Sequence, residues 1–124
     1  MFNALPIELQ NIIKPVYKIS DGGYENKTLV TTTDKCWLAS YNEVGFADSK
    51  YNLTGQGETY SATFSNNSSR KKAVYGGVET ETERWWLRSS YYNGDSMFYR
   101  VTNTGGYYNE SASYEYYVAF GFCI

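Results

Sequence analysis

Histidine is absent from this chain of 124 residues. Its absence excludes Ser-His and Cys-His nucleophile pairs, histidine-containing metal sites and the usual general base at neutral pH. Long apolar runs are missing too: none approaches the ~20 residues that a membrane span needs, and the N-terminus lacks the basic and apolar regions of a signal peptide. We therefore expect no membrane insertion, no cofactor and a function other than catalysis.

Positive charge and cysteine are scarce as well. The chain has 11 Lys and Arg against 13 Asp and Glu, a net charge of -2, so it offers no electrostatic footprint for nucleic acid. The basic triplet at 70–72 is expected in a solvated loop, because no glycine-rich cradle or second basic cluster accompanies it. Cys36 and Cys123 each lie in an apolar run, which predicts buried free thiols. A disulfide between them is the less favoured alternative, since nothing in the sequence indicates an oxidising compartment.

Tyrosine, by contrast, is abundant and unevenly placed. Of the 14 tyrosines, 8 lie between positions 89 and 117, among many Asn, Ser and Gly residues. This segment is framed by Trp-Trp-Leu-Arg-Ser at 85–89 and Val-Ala-Phe-Gly-Phe-Cys-Ile at 118–124. Tyrosine offers a large rigid contact area at low entropic cost, and small polar neighbours add adaptable hydrogen bonding, as in antibody paratopes. The composition therefore predicts a recognition surface.

The local patterns predict a single α+β domain over 1–124. In chain order we expect a helix at 5–14, strands at 16–20 and 31–38, a short helix from Ser40, a long excursion with little regular structure at 48–83, and strands at 85–87, 97–101 and 118–124. The last strand is apolar on both faces, which predicts a central position in a sheet. One face carries the small residues Ala119, Gly121 and Cys123, so a helix or a second sheet can approach it closely. Glu79, Glu81 and Glu83 predict a polar strand edge. A cation site there is disfavoured, because Ca²⁺ needs oxygens that converge from a curved loop.

The framing residues resemble a known family. The Trp-Trp-Leu-Arg-Ser and Val-Ala-Phe-Gly-Phe-Cys-Ile elements, with the helix at Leu5-Pro6 and the stretches 37–40 and 43–45, resemble bacterial and phage domains of the formylglycine-generating-enzyme-like branch of the C-type lectin fold. The matches leave 48–83 uncovered. The resemblance implies a C-type lectin-like fold with an N-terminal helix, a second short helix and a twisted antiparallel sheet with long loops. Members of this group include the variable proteins of diversity-generating retroelements, in which a reverse transcriptase rewrites adenines and so randomises chosen surface residues.

The codon table offers a check on that resemblance. Replacing adenines in the asparagine codons AAC and AAT can give Tyr, Ser, Asp, Gly, Thr or Ala and never gives a stop, whereas Glu and Met are unreachable. Met97, Glu110 and Glu115 are therefore fixed or derive from other codons. We place the variable region within 85–124. The expected ligand-binding residues are Tyr91, Tyr92, Asn93, Asp95, Tyr99, Asn103, Tyr107, Tyr108, Asn109, Ser111, Tyr114, Tyr116 and Tyr117.

Two structural explanations of the tyrosine cluster compete with a ligand-binding role. The tyrosines are alternatively half-buried strand residues or an oligomer interface. Against full burial, the adjacent pairs at 91–92, 107–108 and 116–117 point to opposite faces if extended, so part of the cluster must be exposed. Trp85 and Trp86 are predicted to pack in the core. Arg88 is predicted to anchor a buried carboxylate or loop carbonyls.

Two functional alternatives stay open beside display of a binding surface. One is a sulfatase-modifying-type enzyme, although neither Cys36 nor Cys123 has the setting of an exposed thiolate of low pKa. The other is a calcium-dependent carbohydrate-binding lectin, although the Glu-Pro-Asn and Trp-Asn-Asp elements of such lectins are missing. The resemblance implies a protein or cell-surface ligand, and a location at a phage tail tip or on a bacterial surface.

Overall fold

Short strands outnumber helices in the part of the chain that the computed structural model describes, which comprises residues 1–25, 28–47, 55–74, 76–78 and 81–124. This mixture of helix and sheet confirms the α+β class. The elements are a 3-10 turn at Phe2–Ala4, α1 (Ile7–Ile12), β1 (Val16–Ser20), β2 (Val30–Asp34), β3 (Trp37–Leu38), α2 (Asn67–Arg70), β4 (Lys72–Ala73), β5 (Thr82–Glu83), β6 (Trp85–Ser90), β7 (Met97–Val101), β8 (Tyr107–Ser111), β9 (Tyr117–Val118) and β10 (Phe120–Gly121).

The N-terminal helix forms as predicted, although it is shorter than the sequence pattern. Pro6 is its N-cap, and the Pro6 carbonyl accepts a hydrogen bond from the Gln10 amide at 3.0 Å. No residue of α1 is buried. Of the apolar residues in the predicted helical pattern, only Ile13, which follows the helix, is buried. Within the described ranges, no helix combines the length and the apolar character needed to cross a membrane.

The second predicted helix, from Ser40, is reduced to a single capped turn. The Ser40 amide donates to Glu43 Oε2 at 2.9 Å and the Glu43 amide donates to Ser40 Oγ at 3.0 Å, which is the predicted capping box. Gly45 then adopts φ +81°, and the Phe46 amide donates to the Tyr41 carbonyl at 3.1 Å. This left-handed glycine ends the turn directly after its start, as in a Schellman motif.

The largest sheet has the strand order β8-β7-β6-β9. Strand β7 pairs antiparallel with both β6 and β8, whereas β9 pairs parallel with β6 at the edge. One row of partners crosses the sheet from Tyr108 through Arg100 and Trp86 to Val118. Separate two-stranded pairs are formed by β1 with β2, β3 with β10, and β4 with β5.

The predicted strand at 31–38 is interrupted, and the prediction of one central strand at 118–124 is wrong. The chain leaves β9 at the edge of the four-stranded sheet and then pairs β10 with β3, while Lys14 and Cys123 form an isolated bridge. Val118, Phe120, Phe122 and Ile124 are consequently exposed. The prediction of close packing against the small residues of this segment is confirmed at Gly121, since a Cβ added there would lie 3.0 Å from the Trp37 ring.

The two faces of the four-stranded sheet differ in burial. Trp85, Leu87, Tyr99 and Val101 face the core, where they pack with residues that precede the sheet: Ala39, Tyr41, Val44 and Phe46. The alternation of side chains along strands places Trp86, Phe98, Arg100, Tyr108 and Glu110 on the opposite side, called here the outer face. Any ligand surface of the sheet therefore lies on the outer face or along its edges.

The excursion at 48–83 contains more regular structure than predicted, namely α2, β4 and β5. Asn66 and Ser69 form a capping box at α2. Arg70 is buried, contrary to the expectation of a solvated basic triplet. Its Nε donates to the Val44 carbonyl at 2.5 Å and its guanidinium lies 4.2 Å from the centre of the Phe46 ring. Burial lowers the pKa of Arg70.

Candidate functional site

Four of the predicted site tyrosines are largely exposed. Tyr107, Tyr108, Tyr114 and Tyr117 have 51%, 57%, 55% and 52% of their surface accessible. Tyr91, Tyr92 and Tyr116 are half-buried, so each adjacent pair contributes accessible surface, in agreement with the argument from strand alternation. The tyrosine-rich segment thus forms part of the molecular surface.

Tyr99 is the exception, and the prediction that it lies on the ligand-binding surface is wrong. Only 5% of its surface is accessible, and its ring lies 4.8 Å from that of Tyr41 in the core cluster. Its position in β7 explains the difference, because Tyr99 faces the core while its neighbours Phe98 and Arg100 face outward. Tyr99 belongs to the scaffold.

The outer face carries an aromatic group around an arginine, which we call the Arg100 cluster (Trp86, Arg100, Tyr108 and Tyr116). The Arg100 guanidinium lies 5.3 Å from the ring centre of Tyr108 and 4.9 Å from that of Tyr116. The rings of Trp86 and Tyr116 are 5.2 Å apart. Tyr114 extends the group by stacking on Tyr116 at 6.2 Å with 14° between the ring planes. Cation–π attraction stabilises a guanidinium in such a position.

A second group of tyrosines packs against the core side of the sheet. The Tyr107 ring contacts those of Tyr41 and Phe46, each at 5.0 Å between centroids, although half of its surface is accessible. Tyr91 packs against the core and its ring lies 4.8 Å from that of Tyr92. Substitution at Tyr107 or Tyr91 therefore alters scaffold contacts as well as the surface.

The predicted polar site residues occupy turns and strand β8. Asn93, Asp95 and Asn103 are exposed, whereas Asn109 and Ser111 are half-buried within β8. The Asn103 carbonyl accepts a hydrogen bond from Thr82 Oγ1 at 2.6 Å, which ties the β7–β8 turn to β5. Ser111 Oγ lies 2.9 Å from Ser113 Oγ. Asn93 and Asp95 lie between β6 and β7, and Asn103 lies between β7 and β8, so they occupy opposite ends of β7, while Asn109 pairs with the core-facing Tyr99.

Two hollows adjoin this surface. The first, of about 340 Å³, is predominantly apolar and is lined by Leu38, Trp86, Leu87, Arg88, Phe98 and Ala112. The second, of about 330 Å³, is lined by Lys72, Ala73, Val74, Glu83, Trp85, Tyr117, Val118 and Ala119. Trp86 is half-buried and lines the first hollow, so the prediction of core packing holds for Trp85, which is buried, and is wrong for Trp86.

The buried carboxylate of Glu43 connects several segments of the chain. Glu43 Oε1 accepts hydrogen bonds from Lys18 Nζ at 2.9 Å and from the Tyr60 hydroxyl at 3.0 Å, while Glu43 Oε2 accepts one from Arg88 Nη1. Burial raises the pKa of Glu43, but hydrogen bonds from Arg88, Lys18 and the Ser40 amide outweigh it, so that the pKa lies below its usual range. Glu43 is consequently ionised and paired at neutral pH.

Arg88 fulfils its predicted role as an anchor. Besides Glu43, its guanidinium donates to the carbonyls of Ile19 at 2.9 Å, Leu38 at 2.7 Å and Gln56 at 3.0 Å. One side chain thus joins β1, β3 and the loop after 54 to the start of the tyrosine-rich segment.

Sequence reasoning missed four hydrogen bonds that join these segments. Asp21 accepts hydrogen bonds from the Ser90 amide and from Gln56 Nε2, both at 3.0 Å. Ser89 Oγ accepts from the Tyr41 amide and donates to Gln56 Oε1, both at 2.8 Å. The sequence signals for this network are the capping-box spacing of Ser40 and Glu43 and the anchoring role predicted for Arg88, and neither indicates these four contacts.

The cysteines differ from the prediction of buried thiols. Both are free, but Cys123 is exposed and Cys36 is half-buried. Within the described ranges, no group of three or more His, Cys, Asp and Glu side chains is arranged to hold a metal ion. Of the three glutamates at the predicted strand edge, Glu83 lies in β5 and Glu79 falls outside the described residues.

Comparison with known proteins gives one match. A protein-family model with the description "Domain of unknown function (DUF6273)" matches residues 1–124, the whole length of the chain. No curated protein and no solved structure matches it.

Proposed function

The chain belongs to the DUF6273 family, and from this premise we propose that it is a ligand-binding display domain of C-type lectin type. In this proposal the surface formed by residues 89–117 is diversified, as in variable proteins of diversity-generating retroelements. It recognises a protein or cell-surface target by non-covalent contacts, without a cofactor and without catalysis.

The division between surface and core is the observation that carries the proposal. Tyr108, Tyr114 and Tyr117 are more than half exposed, while the core beneath is built mainly from Tyr41, Phe46 and other residues outside the segment. Surface substitutions away from buried features usually change stability by less than about 0.5 kcal/mol. A surface of this kind tolerates exchange of its side chains without loss of the fold.

The C-type lectin part of the proposal rests on the order and size of the elements. A short N-terminal helix, a single turn at Ser40 and a mainly antiparallel four-stranded sheet with long connections match what the resemblance implies. The sequence elements of the resemblance also meet in space: β6 carries Trp-Trp-Leu-Arg-Ser, and β9 of the closing element pairs with it.

The chemistry of the surface favours a protein ligand. Tyrosine rings supply apolar area and hydroxyl groups together, and such residues dominate the energetic centres of protein interfaces. The exposed Asn93, Asp95 and Asn103 add polar groups in the turns at the two ends of β7. Each of these residue types is reachable from asparagine codons by adenine replacement, which supports diversification at these positions.

Selection from a randomised library tests the proposal. Tyr108, Tyr114, Tyr117, Asn93 and Asp95 are randomised together, and the library is displayed on yeast and selected against several unrelated folded proteins. We expect folded, target-specific binders from most selections. A matched library randomised at five exposed positions outside the segment, in β2 (Val30–Asp34) and α1 (Ile7–Ile12), is the control. Equal success of both libraries, or loss of folding throughout the first, contradicts the proposal.

A further inference from the structure

The turn between β6 and β7 contains the only Asn-Gly step in the sequence, at Asn93 and Gly94. Asn93 is exposed. Among the residues that the structure describes, neither the Asn93 side chain nor the Gly94 backbone N–H has a hydrogen-bond partner. The Gly94 carbonyl, by contrast, accepts a hydrogen bond from the Met97 amide at 3.4 Å. The turn is thus closed through this carbonyl, while the side-chain amide and the nitrogen that follows it stay free.

An asparagine followed by glycine reacts with its own backbone. The Gly94 nitrogen loses its proton to hydroxide and attacks Cγ of Asn93, which closes a five-membered succinimide ring, and the side-chain nitrogen leaves as ammonia. Water then adds to one of the two ring carbonyls. Opening on one side leaves an aspartate, and opening on the other leaves an isoaspartate, whose backbone runs through Cβ and Cγ. Glycine favours ring closure, because it has no Cβ to restrict the approach of its nitrogen.

The other asparagines lack this combination of features. Each of them is followed in the sequence by a residue other than glycine. The Asn42 side chain donates a hydrogen bond to the Gly57 carbonyl, and Asn67 Oδ1 accepts one from Arg70 Nη1 at 2.9 Å. Ring closure at such a side chain would break these hydrogen bonds, which disfavours the reaction.

Asp21-Gly22 provides an internal comparison, since an aspartate closes the same ring with loss of water. Asp21 Oδ2 accepts hydrogen bonds from the Ser90 amide and from Gln56 Nε2, both at 3.0 Å, and Asp21 Oδ1 accepts one from the Gly23 amide at 3.0 Å. The carboxylate is therefore held in place by three donors. The two steps have a similar sequence, and their contacts in the fold distinguish them.

From this arrangement we propose that Asn93 is a self-modification site, at which the turn between β6 and β7 converts to aspartate and isoaspartate forms without an enzyme. Both products carry a new negative charge two residues from Asp95, and the isoaspartate form lengthens the backbone of the turn by one carbon atom. The inference goes beyond the proposed function and does not depend on it. If that function holds, the reaction changes the binding surface at one of its expected residues.

Peptide mapping by mass spectrometry tests the inference. The folded chain is incubated at about pH 7 and about pH 8, and it is then digested at acidic pH, which prevents further reaction. We expect the peptide that contains Asn93 to gain one mass unit and to separate into two products, with isoaspartate and with aspartate. The rate should rise about 10-fold between the two pH values, because the deprotonated fraction of an amide far below its pKa rises by that factor. A rate that does not rise overturns the inference.

Asn93→Gln is the matched control variant. It keeps an exposed primary amide in the turn, but its side chain would have to close a six-membered ring. We expect no gain of mass in this peptide over the same period. A gain as fast as that of the wild type overturns the inference, since the modified residue then lies elsewhere in the peptide.

The peptide that contains Asp21 shows whether contacts in the fold decide the outcome. Isoaspartate should accumulate at Asn93 but not at Asp21 in the folded chain, and at both positions in guanidinium chloride, where the hydrogen bonds of Asp21 are lost. Equal accumulation at both positions of the folded chain overturns the inference, as does a reaction of Asn93 that requires unfolding. The library that tests the proposed function replaces Asn93, so the result of one experiment does not determine that of the other.

Discussion

Glu43 is the residue on which distant parts of the chain converge. Its carboxylate accepts hydrogen bonds from Lys18 in β1, from Arg88 in β6 and from Tyr60, and its side chain is almost completely buried. Both cationic partners are themselves nearly inaccessible, with 10% of the Lys18 side chain and 12% of the Arg88 side chain exposed. Charges in such positions depend on their counter-ion, because water does not replace it.

We predict that Glu43→Gln destabilises the fold by about 3–5 kcal/mol, because it leaves two buried cations without a compensating charge. Denaturant unfolding followed by tryptophan fluorescence measures this loss. Glu58→Gln is the matched control: Glu58 is exposed, so its substitution should cost less than about 0.5 kcal/mol. A similar small effect at both positions contradicts the role assigned to Glu43.

The stability difference between wild type and Glu43→Gln should depend on pH. The pKa of Glu43 is lowered in the folded chain, since the hydrogen bonds from Arg88, Lys18 and the Ser40 amide outweigh the effect of burial. Its contribution is therefore fully present above the unfolded pKa, near the usual value of about 4.3, and is lost as the pH falls through the folded pKa. Unfolding curves from pH 7 downward should show a constant difference to about pH 5 and a shrinking one below it. A difference that grows in acid contradicts the assignment.

At the scale of elements, the β7–β8 hairpin is seated on α2 through a glycine. Gly105 has φ +85°, and a Cβ added there would lie 1.8 Å from the Asn67 carbonyl oxygen. The turn is closed by the Gly105 amide donating to the Thr102 carbonyl at 2.9 Å. Although Gly105 lies inside the tyrosine-rich segment, it is a fixed part of the frame.

We predict that Gly105→Ala destabilises the fold by more than about 3 kcal/mol, because it combines a left-handed backbone with a collision against helix backbone. Gly23→Ala measures the cost of the left-handed backbone alone, because Gly23 has φ +96° but nothing within 4 Å of an added Cβ. That control should cost about 1–2 kcal/mol. Chemical denaturation of both variants gives the comparison, and equal losses would mean that the hairpin does not press on α2.

The elements also show where sequence reasoning succeeds and where it stops. Strands β1 and β7 coincide with their predicted ranges, because alternation and turn residues are local signals. The segment 118–124 was misjudged, since its apolar residues do not say which strand they will meet, and the chain divides them between β6 and β3. Pairing between remote segments is not encoded in a local pattern.

The candidate site shows the same limit. Exposure of at least one tyrosine in each adjacent pair followed from the alternation of side chains, which is a local feature. Burial of Tyr99 did not, because the side of β7 that meets the core depends on Tyr41, far away in the sequence. Burial of Arg100 was missed for a related reason: it results from neighbours on β6, β8 and the segment before β9.

At the scale of the whole molecule, one set of residues stabilises the fold and another set is exposed on the surface. The network of Glu43 and Arg88 and the core around Trp85 join segments from both halves of the sequence. The ends are tied as well, since the Lys14 amide donates to the Cys123 carbonyl at 2.8 Å. The exposed tyrosines Tyr108, Tyr114 and Tyr117 are not part of the core cluster. In the proposed function, stability and recognition therefore depend on different residues, even within the single segment 89–117.

This division predicts opposite results for tyrosines that the sequence does not distinguish. The triple variant Tyr108→Ser, Tyr114→Ser, Tyr117→Ser should lose less than about 1.5 kcal/mol, as a sum of three small surface effects. Tyr99→Ser alone should lose about 3–5 kcal/mol, because it empties a space in the core. Equilibrium unfolding in urea measures both, and near-ultraviolet circular dichroism reports whether the packing of the aromatic core persists. A triple variant that unfolds as readily as Tyr99→Ser would show that the outward rings support the fold, and a surface of that kind is unsuited to free exchange of its side chains.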